Sequence, residues 1–244
     1  MKEWEYRTAA DQDLPPGEKL RSLKREAGLA SFLAQSCWRL FVYGYLLTYH
    51  RLRIVGREHL PPAPPFVLVS NHSSHLDALS LASCLPWRLR QRAFPIAAGD
   101  HFFETPISAF FSALMFNALP MWRHRCGRHA LDELRERLVG EPAIYILFPE
   151  GTRSRDGEVA RFKSGIGMLV AGSKIPVVPC YLQGAHEALP PHRSLPRPRK
   201  LVLRIGPPEA FEETENKSSG WKEISNRLET AVKGLGSQGE GRTT

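Results

Sequence analysis

The chain has 244 residues, a length typical of one domain with or without a short appendage. Its hydrophobic fraction of 42% and charged fraction of 24% are near globular averages, which excludes a collagen-like, coiled-coil or largely disordered protein. Lys and Arg number 33 against 25 Asp and Glu, so the formal net charge is +8. This excess indicates an anionic partner, and composition leaves open nucleic acid, a membrane surface or a phosphorylated small molecule.

The longest apolar stretch covers residues 29–49, nearly the ~20 residues that a helix needs to span a bilayer. Ser31, Gln35 and Arg39 recur every four residues, which places a polar stripe along one side of a helix. A central Arg facing lipid costs roughly 2.5–3.5 kcal/mol. We therefore expect a membrane-associating helix that lies in the interface. The alternative is a helix that packs on the protein's own core.

From residue 52 onward, short apolar runs alternate with helical windows, which predicts a single layered α/β domain. The runs are apolar throughout, as expected for a mixed, mostly parallel sheet that is flanked by helices on both faces. The expected strands cover residues 66–70, 94–98, 143–148, 177–182 and 201–205, and the expected helices cover 75–84, 106–117, 127–139, 165–172 and 221–235.

These patterns divide the chain into four segments. Polar composition and a Pro-Pro-Gly sequence predict a flexible tail at the start, and glycine-rich sequence predicts another at the end. The predicted segments are a tail at 1–17, a membrane-associating helical segment at 18–50, the α/β domain at 51–235 and a tail at 236–244.

The first polar motif is Asn71-His72-Ser73-Ser74-His75-Leu76-Asp77, directly after a predicted strand. Open α/β sheets place their sites at the carboxyl ends of strands. Asp77, at the start of the next helix, is positioned to accept a hydrogen bond from one ring nitrogen of His72. The other ring nitrogen is then a general base, and a substrate hydroxyl takes the place of a protein nucleophile.

Two other interpretations of this motif stay open. His72, His75 and Asp77 are residue types that bind zinc or iron, which fits a metal-dependent hydrolase. Ser73 or Ser74 fits a helix cap without any catalytic role.

The second motif is Phe148-Pro149-Glu150-Gly151-Thr152-Arg153-Ser154, again directly after an apolar run. Gly151 allows close approach of a ligand to the backbone, and the guanidinium of Arg153 suits phosphate or carboxylate. Lys163 precedes a predicted helix whose amino terminus favours anions. The alternative is a solvated basic loop, but charge between a buried strand and an apolar helix is costly without a function.

Arg123 closes a third, shorter apolar run at residues 117–123. It is either a second guanidinium of the same anion site or a surface residue beside Arg125 and Arg128.

These motifs resemble those of the glycerophospholipid acyltransferase family, enzymes of the 1-acylglycerol-3-phosphate O-acyltransferase type. Asn71-His72-x-Ser74-x-x-Asp77 is similar to the family's first block, 148–154 to its third, and residues 175–179 to its fourth. Of the second block only Arg123 matches, and the family's usual glycine is absent. The resemblance extends over roughly residues 52–207.

The resemblance implies that His72 is the catalytic base and that Asp77 orients it. The reaction it implies moves a fatty acyl group from an acyl thioester to the hydroxyl of an acceptor resembling lysophosphatidic acid, in phospholipid biosynthesis. Glycerol 3-phosphate and an unphosphorylated lysolipid are alternative acceptors. The implied substrate-binding residues are Arg123, Glu150, Gly151, Thr152, Arg153 and Lys163.

The same resemblance implies no metal and no cofactor, with acyl-CoA or acyl carrier protein as co-substrate. Expected partners are membrane lipids, the thioester donor and the lysophospholipid acceptor, at the cytoplasmic face of a membrane. Nucleic acid is not expected, because no helix-turn-helix, zinc finger or aromatic-basic RNA-binding pattern is found.

Overall fold

The structure is a computed structural model that describes residues 29–98, 117–121 and 128–238. Several sequence predictions lie outside these residues and stay predictions. They are the tail at 1–17, most of the helix at 106–117, Arg123 and residues 239–244.

The described residues form seven strands, seven α-helices and one 3-10 turn at Arg57–His59. Strands and helices alternate along most of the chain. The strands are β1 (Arg53–Val55), β2 (Phe66–Ser70), β3 (Ala93–Ala98), β4 (Leu119–Met121), β5 (Ile144–Leu147), β6 (Val177–Gln183) and β7 (Val202–Ile205). The helices are α1 (Leu29–Thr48), α2 (Leu76–Cys84), α3 (Trp87–Arg90), α4 (Arg128–Gly140), α5 (Gly165–Val170), α6 (Ala185–Ala188) and α7 (Ser218–Ser237).

The seven described strands form one sheet in the order β1-β7-β6-β2-β5-β3-β4. Strands β6, β2, β5, β3 and β4 are parallel, whereas β7 pairs antiparallel to β6. This arrangement confirms the predicted mixed, mostly parallel sheet. Strand β2 lies between β6 and β5, so the loops that follow these three strands leave the same edge of the sheet.

Both faces of the sheet are buried. Phe66 and Leu68 of β2 belong to the hydrophobic cluster beneath α1 and α2, whereas Val67 and Val69 belong to the cluster beneath α4, α5 and α7. Burial on both sides explains why the strands are apolar throughout rather than alternating.

Two strands and two short helices were not expected from the sequence. Strands β1 and β4 have three residues each, and helices α3 and α6 have four. Helix α7 begins three residues earlier than predicted and reaches Ser237, two residues into the predicted carboxyl-terminal tail.

Gln35 and Arg39, two members of the polar stripe of α1, face the protein. Gln35 is buried and Arg39 is half-buried, and the Nη2 of Arg39 donates to the Oε1 of Gln35 at 3.2 Å. Val42 and Leu46 of the same helix join the core, so one face of α1 packs on the protein, and the expected membrane association of the helix stays a prediction. The outward side of α1 is apolar: its exposed large residues are Phe32, Leu33, Leu40, Phe41 and Leu47.

None of the helices in the described ranges is long and apolar enough to cross a membrane.

Candidate active site

His72 and Asp77 form a hydrogen-bonded pair at the carboxyl end of β2. The Nδ1 of His72 lies 2.8 Å from the Oδ2 of Asp77, whose side chain is fully buried. The same Oδ2 accepts hydrogen bonds from the backbone amides of Ser73 at 2.7 Å and Ser74 at 2.8 Å. The loop therefore curls around one carboxylate oxygen, which the start of α2 holds in place.

This geometry determines the orientation of the imidazole. Asp77 as a carboxylate only accepts hydrogen bonds, so the proton lies on the Nδ1 of His72 and the Nε2 keeps its lone pair. The ring also stacks on Phe148, with centroids 4.2 Å apart and planes 17° apart. The His72 side chain is 23% exposed, so the pair is accessible to a substrate on one side.

Asn71 fixes the start of this loop, a role that its sequence context did not reveal. Its side chain accepts from the amide of Leu182 at 2.9 Å and donates to the Leu182 carbonyl at 3.1 Å. The Ser70 hydroxyl donates to the Oδ1 of Asn71 as well. The loop is thereby joined to β6, and only the neighbouring position of β2 and β6 in the sheet makes this contact possible.

Glu150 connects the second motif to the first by accepting hydrogen bonds from backbone amides. Its Oε1 accepts from the His72 amide at 2.7 Å, its Oε2 accepts from the Ala160 amide at 3.0 Å, and its side chain is buried. Burial raises the pKa of Glu150 to about 7 in spite of these two amide donors. Its predicted contact with substrate stays a prediction; here its oxygens contact the backbone.

The second motif bends back over the first. Gly151 has a φ of +75°, and a Cβ on it would lie 2.6 Å from the Nζ of Lys163, so the ammonium group lies directly over this glycine. The amide of Ser154 donates to the carbonyl of His72 at 2.7 Å, and a guanidinium nitrogen of Arg153 contacts the Nε2 of His75. The sequence suggested His75 only as a candidate metal ligand, and this contact with Arg153 was not predicted.

Arg153 and Lys163 form what we call the cationic pair. Within the described ranges, neither side chain forms an ion pair with a carboxylate. Lys163 is exposed and Arg153 is partly exposed, so both are available to an anion. Thr152 beside them is exposed.

Helix α7 forms hydrogen bonds with the loop that carries Lys163. The Ser225 hydroxyl donates to the Lys163 carbonyl at 3.1 Å, and the Phe162 amide donates to the Oε2 of Glu229 at 2.9 Å. A Cβ on Gly167 of α5 would lie 2.4 Å from the Trp221 backbone, so only glycine lets α7 approach this closely. The position of Lys163 therefore depends on a helix some 60 residues further along the chain.

The structure bears on both alternatives for the first motif. The Ser74 hydroxyl accepts from the Leu76 amide at 3.2 Å in the turn before α2, but the residue at the N-cap position is His75 and it makes no side-chain capping hydrogen bond. In the parts of the chain that the structure describes, no three His, Cys, Asp or Glu side chains are grouped to hold a metal. The metal-ligand interpretation gains no support from these residues, and the Nε2 of His75 contacts Arg153.

A histidine oriented by a buried carboxylate, beside a cationic pair at the carboxyl edge of a mostly parallel sheet, is typical of enzymes that use acid–base chemistry on anionic substrates. Residues 51–183, more than half of the chain, match the family model described as Acyltransferase. The chain belongs to this acyltransferase family.

Curated relatives carry the name 1-acyl-sn-glycerol-3-phosphate acyltransferase. The alpha form from Mus musculus is 28% identical over 165 residues, which cover 66% of this chain and 56% of that protein. The alpha form from Homo sapiens is 32% identical over 56% of this chain and 47% of its own. A Chlamydomonas reinhardtii relative is 35% identical over 64% and 46%, so the chain spans about half the length of these relatives.

A solved structure has the same fold. The crystal structure of the 1-acyl-sn-glycerophosphate (LPA) acyltransferase PlsC from Thermotoga maritima superimposes with a TM-score of 0.65. The match covers 88% of this chain and 81% of that one at 22% identity.

Proposed function

We propose that this protein is an O-acyltransferase that moves a fatty acyl group from an acyl thioester to the hydroxyl of a lysophosphatidic-acid-like acceptor. The observation that carries the proposal is the His72–Asp77 pair beside the cationic pair, in a chain of the acyltransferase family. The names of the curated relatives support the phosphorylated lysolipid as acceptor.

The proposed reaction begins at the free ring nitrogen of His72. The Nε2 removes the proton of the acceptor hydroxyl as its oxygen attacks the thioester carbonyl carbon. Asp77 stabilises the resulting imidazolium through the Nδ1 hydrogen bond. The carbon–sulfur bond then breaks, the new ester forms, and the sulfur takes the proton from His72 as the free thiol leaves.

The cationic pair gives the acceptor its orientation. A phosphate between Arg153 and Lys163 makes charge-assisted hydrogen bonds to the planar guanidinium and to the ammonium group. Glu150, which holds the His72 amide, is then a positioning residue rather than a group that contacts the acceptor. In this proposal the donor thiol belongs to coenzyme A or to acyl carrier protein.

The test is release of free thiol from acyl-CoA by the purified full-length chain, with lysophosphatidic acid, glycerol 3-phosphate or monoacylglycerol as acceptor. We expect activity with lysophosphatidic acid, and a loss of about 10²–10⁴-fold in His72→Ala. His192→Ala, on an exposed loop, is the matched control. Full activity of His72→Ala, or thiol release that needs no acceptor, would contradict the proposal.

We further propose that the outward face of α1 contacts the membrane that supplies these lipids. Leu40 and Phe41 are each 63% exposed on this face. The exposed residues Arg51, Arg53 and Arg57 follow shortly after the helix, where lipid phosphates would attract them. A helix with one face in the core and an apolar outward face suits the membrane interface. The cytoplasmic side stays a prediction.

Surface substitutions test this proposal better than a deletion, because removing α1 would also remove Val42 and Leu46 from the core. We expect the double variant Leu40→Glu, Phe41→Glu to lose most of its sedimentation with phospholipid vesicles. Leu195→Glu, in an exposed loop, is the control and should sediment like the wild type. Equal sedimentation of all three proteins would rule out this face as the contact.

A further inference from the structure

Two arginines, Arg39 and Arg90, line a cavity on the inner side of α1. This small cavity of about 30 Å³ is bounded by Trp38 and Arg39 of α1, Ser83 of α2 and Arg90 at the end of α3. Its volume exceeds the ~10–15 Å³ that one water molecule requires.

Two of the residues that line this cavity carry buried hydrogen-bond donors that have no partner among the described residues. The indole Nε1 of Trp38 and the Nη1 of Arg39 are both buried and make no hydrogen bond. The other terminal nitrogen of Arg39 reaches only the neutral amide of Gln35. An unmatched buried donor costs about 1–3 kcal/mol, and more for a charged group, so these atoms indicate a missing acceptor.

Arg90 does not supply that acceptor, because it is itself a buried cation. It is satisfied by the carbonyls of Leu85 and Ser83 at 2.9 Å and by the rings of Tyr43 and Trp87. Burial, together with the charge of Arg90, lowers the pKa of Arg39 to about 10. The two guanidinium groups therefore repel each other across the cavity.

Within the described part of the chain, no Asp or Glu lines the cavity. Arg90 is buried and Arg39 is half-buried, and two such cations without a carboxylate among the described residues are unfavourable, because buried charges in proteins are normally paired. Water would satisfy the donors but would leave the charge unbalanced, whereas an anion does both.

We propose that this cavity binds a phosphate-type anion at a site separate from the acceptor site. The Nη1 of Arg39 and the Nε1 of Trp38 donate to the anion, and Arg90 contributes charge. A guanidinium group suits a phosphate oxygen because its donors are planar and permanently charged.

A lipid headgroup and free phosphate both carry this chemistry. The opposite side of α1 bears the exposed apolar face that we assign to the membrane. A helix is about 10–12 Å across with its side chains, so the inner side of an interfacial helix lies level with lipid phosphates. This argument rests on the proposed membrane contact and favours the headgroup, whereas the anion site itself does not depend on it.

The experiment is thermal unfolding of the full-length protein in neutral detergent, with and without inorganic phosphate at constant ionic strength. A ligand that binds only the folded state raises Tm. We expect phosphate to raise the wild-type Tm by about 2–4 °C more than that of Arg39→Met. Trp38→Phe, which keeps the ring bulk and removes the N–H donor, should show an intermediate rise. Arg88→Ala, which removes an exposed charge from the same short helix as Arg90, should respond like the wild type.

A second arm replaces inorganic phosphate with dihexanoyl phosphatidic acid or dihexanoyl phosphatidylcholine. A larger Arg39-dependent rise with phosphatidic acid than with inorganic phosphate assigns the site to a headgroup, and equal rises assign it to free phosphate.

The proposal is overturned if all four proteins respond equally to every anion. A purely structural Arg39 gives that result, because its loss would lower Tm by the same amount with and without phosphate. The readout does not involve acyl transfer, so it stands or fails independently of the proposed activity.

Discussion

The loops at the carboxyl edge of the sheet and the helix α1 both bury polar side chains, but they satisfy them differently. At the loops, Asp77 and Glu150 accept hydrogen bonds from backbone amides that the turns bring to them. In α1, the half-buried residues Arg39 and Trp38 each have one buried donor atom that no group among the described residues accepts. Among the described residues, the first region leaves one acceptor unpaired, the Oδ1 of Asp77, whereas the second leaves two donors unpaired, one of them on a cation. We infer that these hydrogen bonds hold the catalytic loops rigid and that the inner side of α1 binds a ligand.

The substitution Asp77→Asn, in the first of these two regions, should have the largest effect, and that effect is on kcat. Within the described residues the Oδ1 of Asp77 is buried without a partner, so the Asn amide nitrogen becomes an unmatched buried donor there, while the Asn oxygen keeps the three donors of Oδ2. The negative charge is lost. We expect kcat to fall by about 10²–10⁴-fold. The unmatched donor should also lower the free energy of unfolding by about 1–3 kcal/mol. Asp132→Asn on an exposed position of α4 is the control, and similar kcat values for the two variants would refute the orienting role.

A smaller effect should distinguish the two faces of α1. Leu46 is fully buried and Leu40 is 63% exposed on the same helix. Leu46→Ala should lower the free energy of unfolding by about 2–5 kcal/mol, because it leaves a cavity. Leu40→Ala should change it by about 0.5 kcal/mol or less. Urea unfolding in neutral detergent measures both values. Equal losses of unfolding free energy in the two variants would show that Leu40 on the outward face is also packed against the protein.

The smallest effect concerns the buried carboxyl of Glu150. Its pKa is about 7, above the ordinary value of 4.5, so the folded state binds a proton that the unfolded state has lost between these pH values. Stability therefore falls as pH rises through this window. Glu150→Gln removes this dependence, and the difference in unfolding free energy between the two proteins should change by up to about 3 kcal/mol from pH 4.5 to 7.5.

Denaturant unfolding of wild-type and Glu150→Gln proteins across this pH range measures that difference. The Gln side chain has one acceptor oxygen, so it can accept from only one of the two backbone amides that Glu150 binds. We therefore also expect the variant's free energy of unfolding to be lower by a constant amount at all pH values. An offset alone, without pH dependence, would mean that Glu150 does not change its charge in the folded protein.

Local sequence patterns correctly predicted the features that depend on residues close together in the chain. His72 and Asp77 are five residues apart, and the strand β2 and helix α2 around them were expected close to their observed ends. Three-residue strands such as β1 were missed, because so short a run has no recognisable period.

Contacts between distant segments could not be predicted in the same way. Glu150 binds the His72 amide across 78 residues, and Asn71 binds Leu182 across 111. Both contacts depend on β2 lying between β5 and β6, and the order of strands in a sheet does not follow from their order in the chain. Similarly, the spacing of Gln35 and Arg39 revealed a stripe but not the side it faces, which tertiary packing decides.

The close approach of α7 at Gly167 has a consequence for shortening this protein. The segment that matches the family ends at residue 183, whereas the supports of Lys163 come from Ser225 and Glu229. A chain trimmed to the matching segment would retain every described residue that we assign to catalysis. It would lose α7, whose side chains hold the backbone around Lys163 in place. The smallest working unit therefore extends through α7, and variation in that helix offers a way to tune acceptor preference from outside the reaction centre.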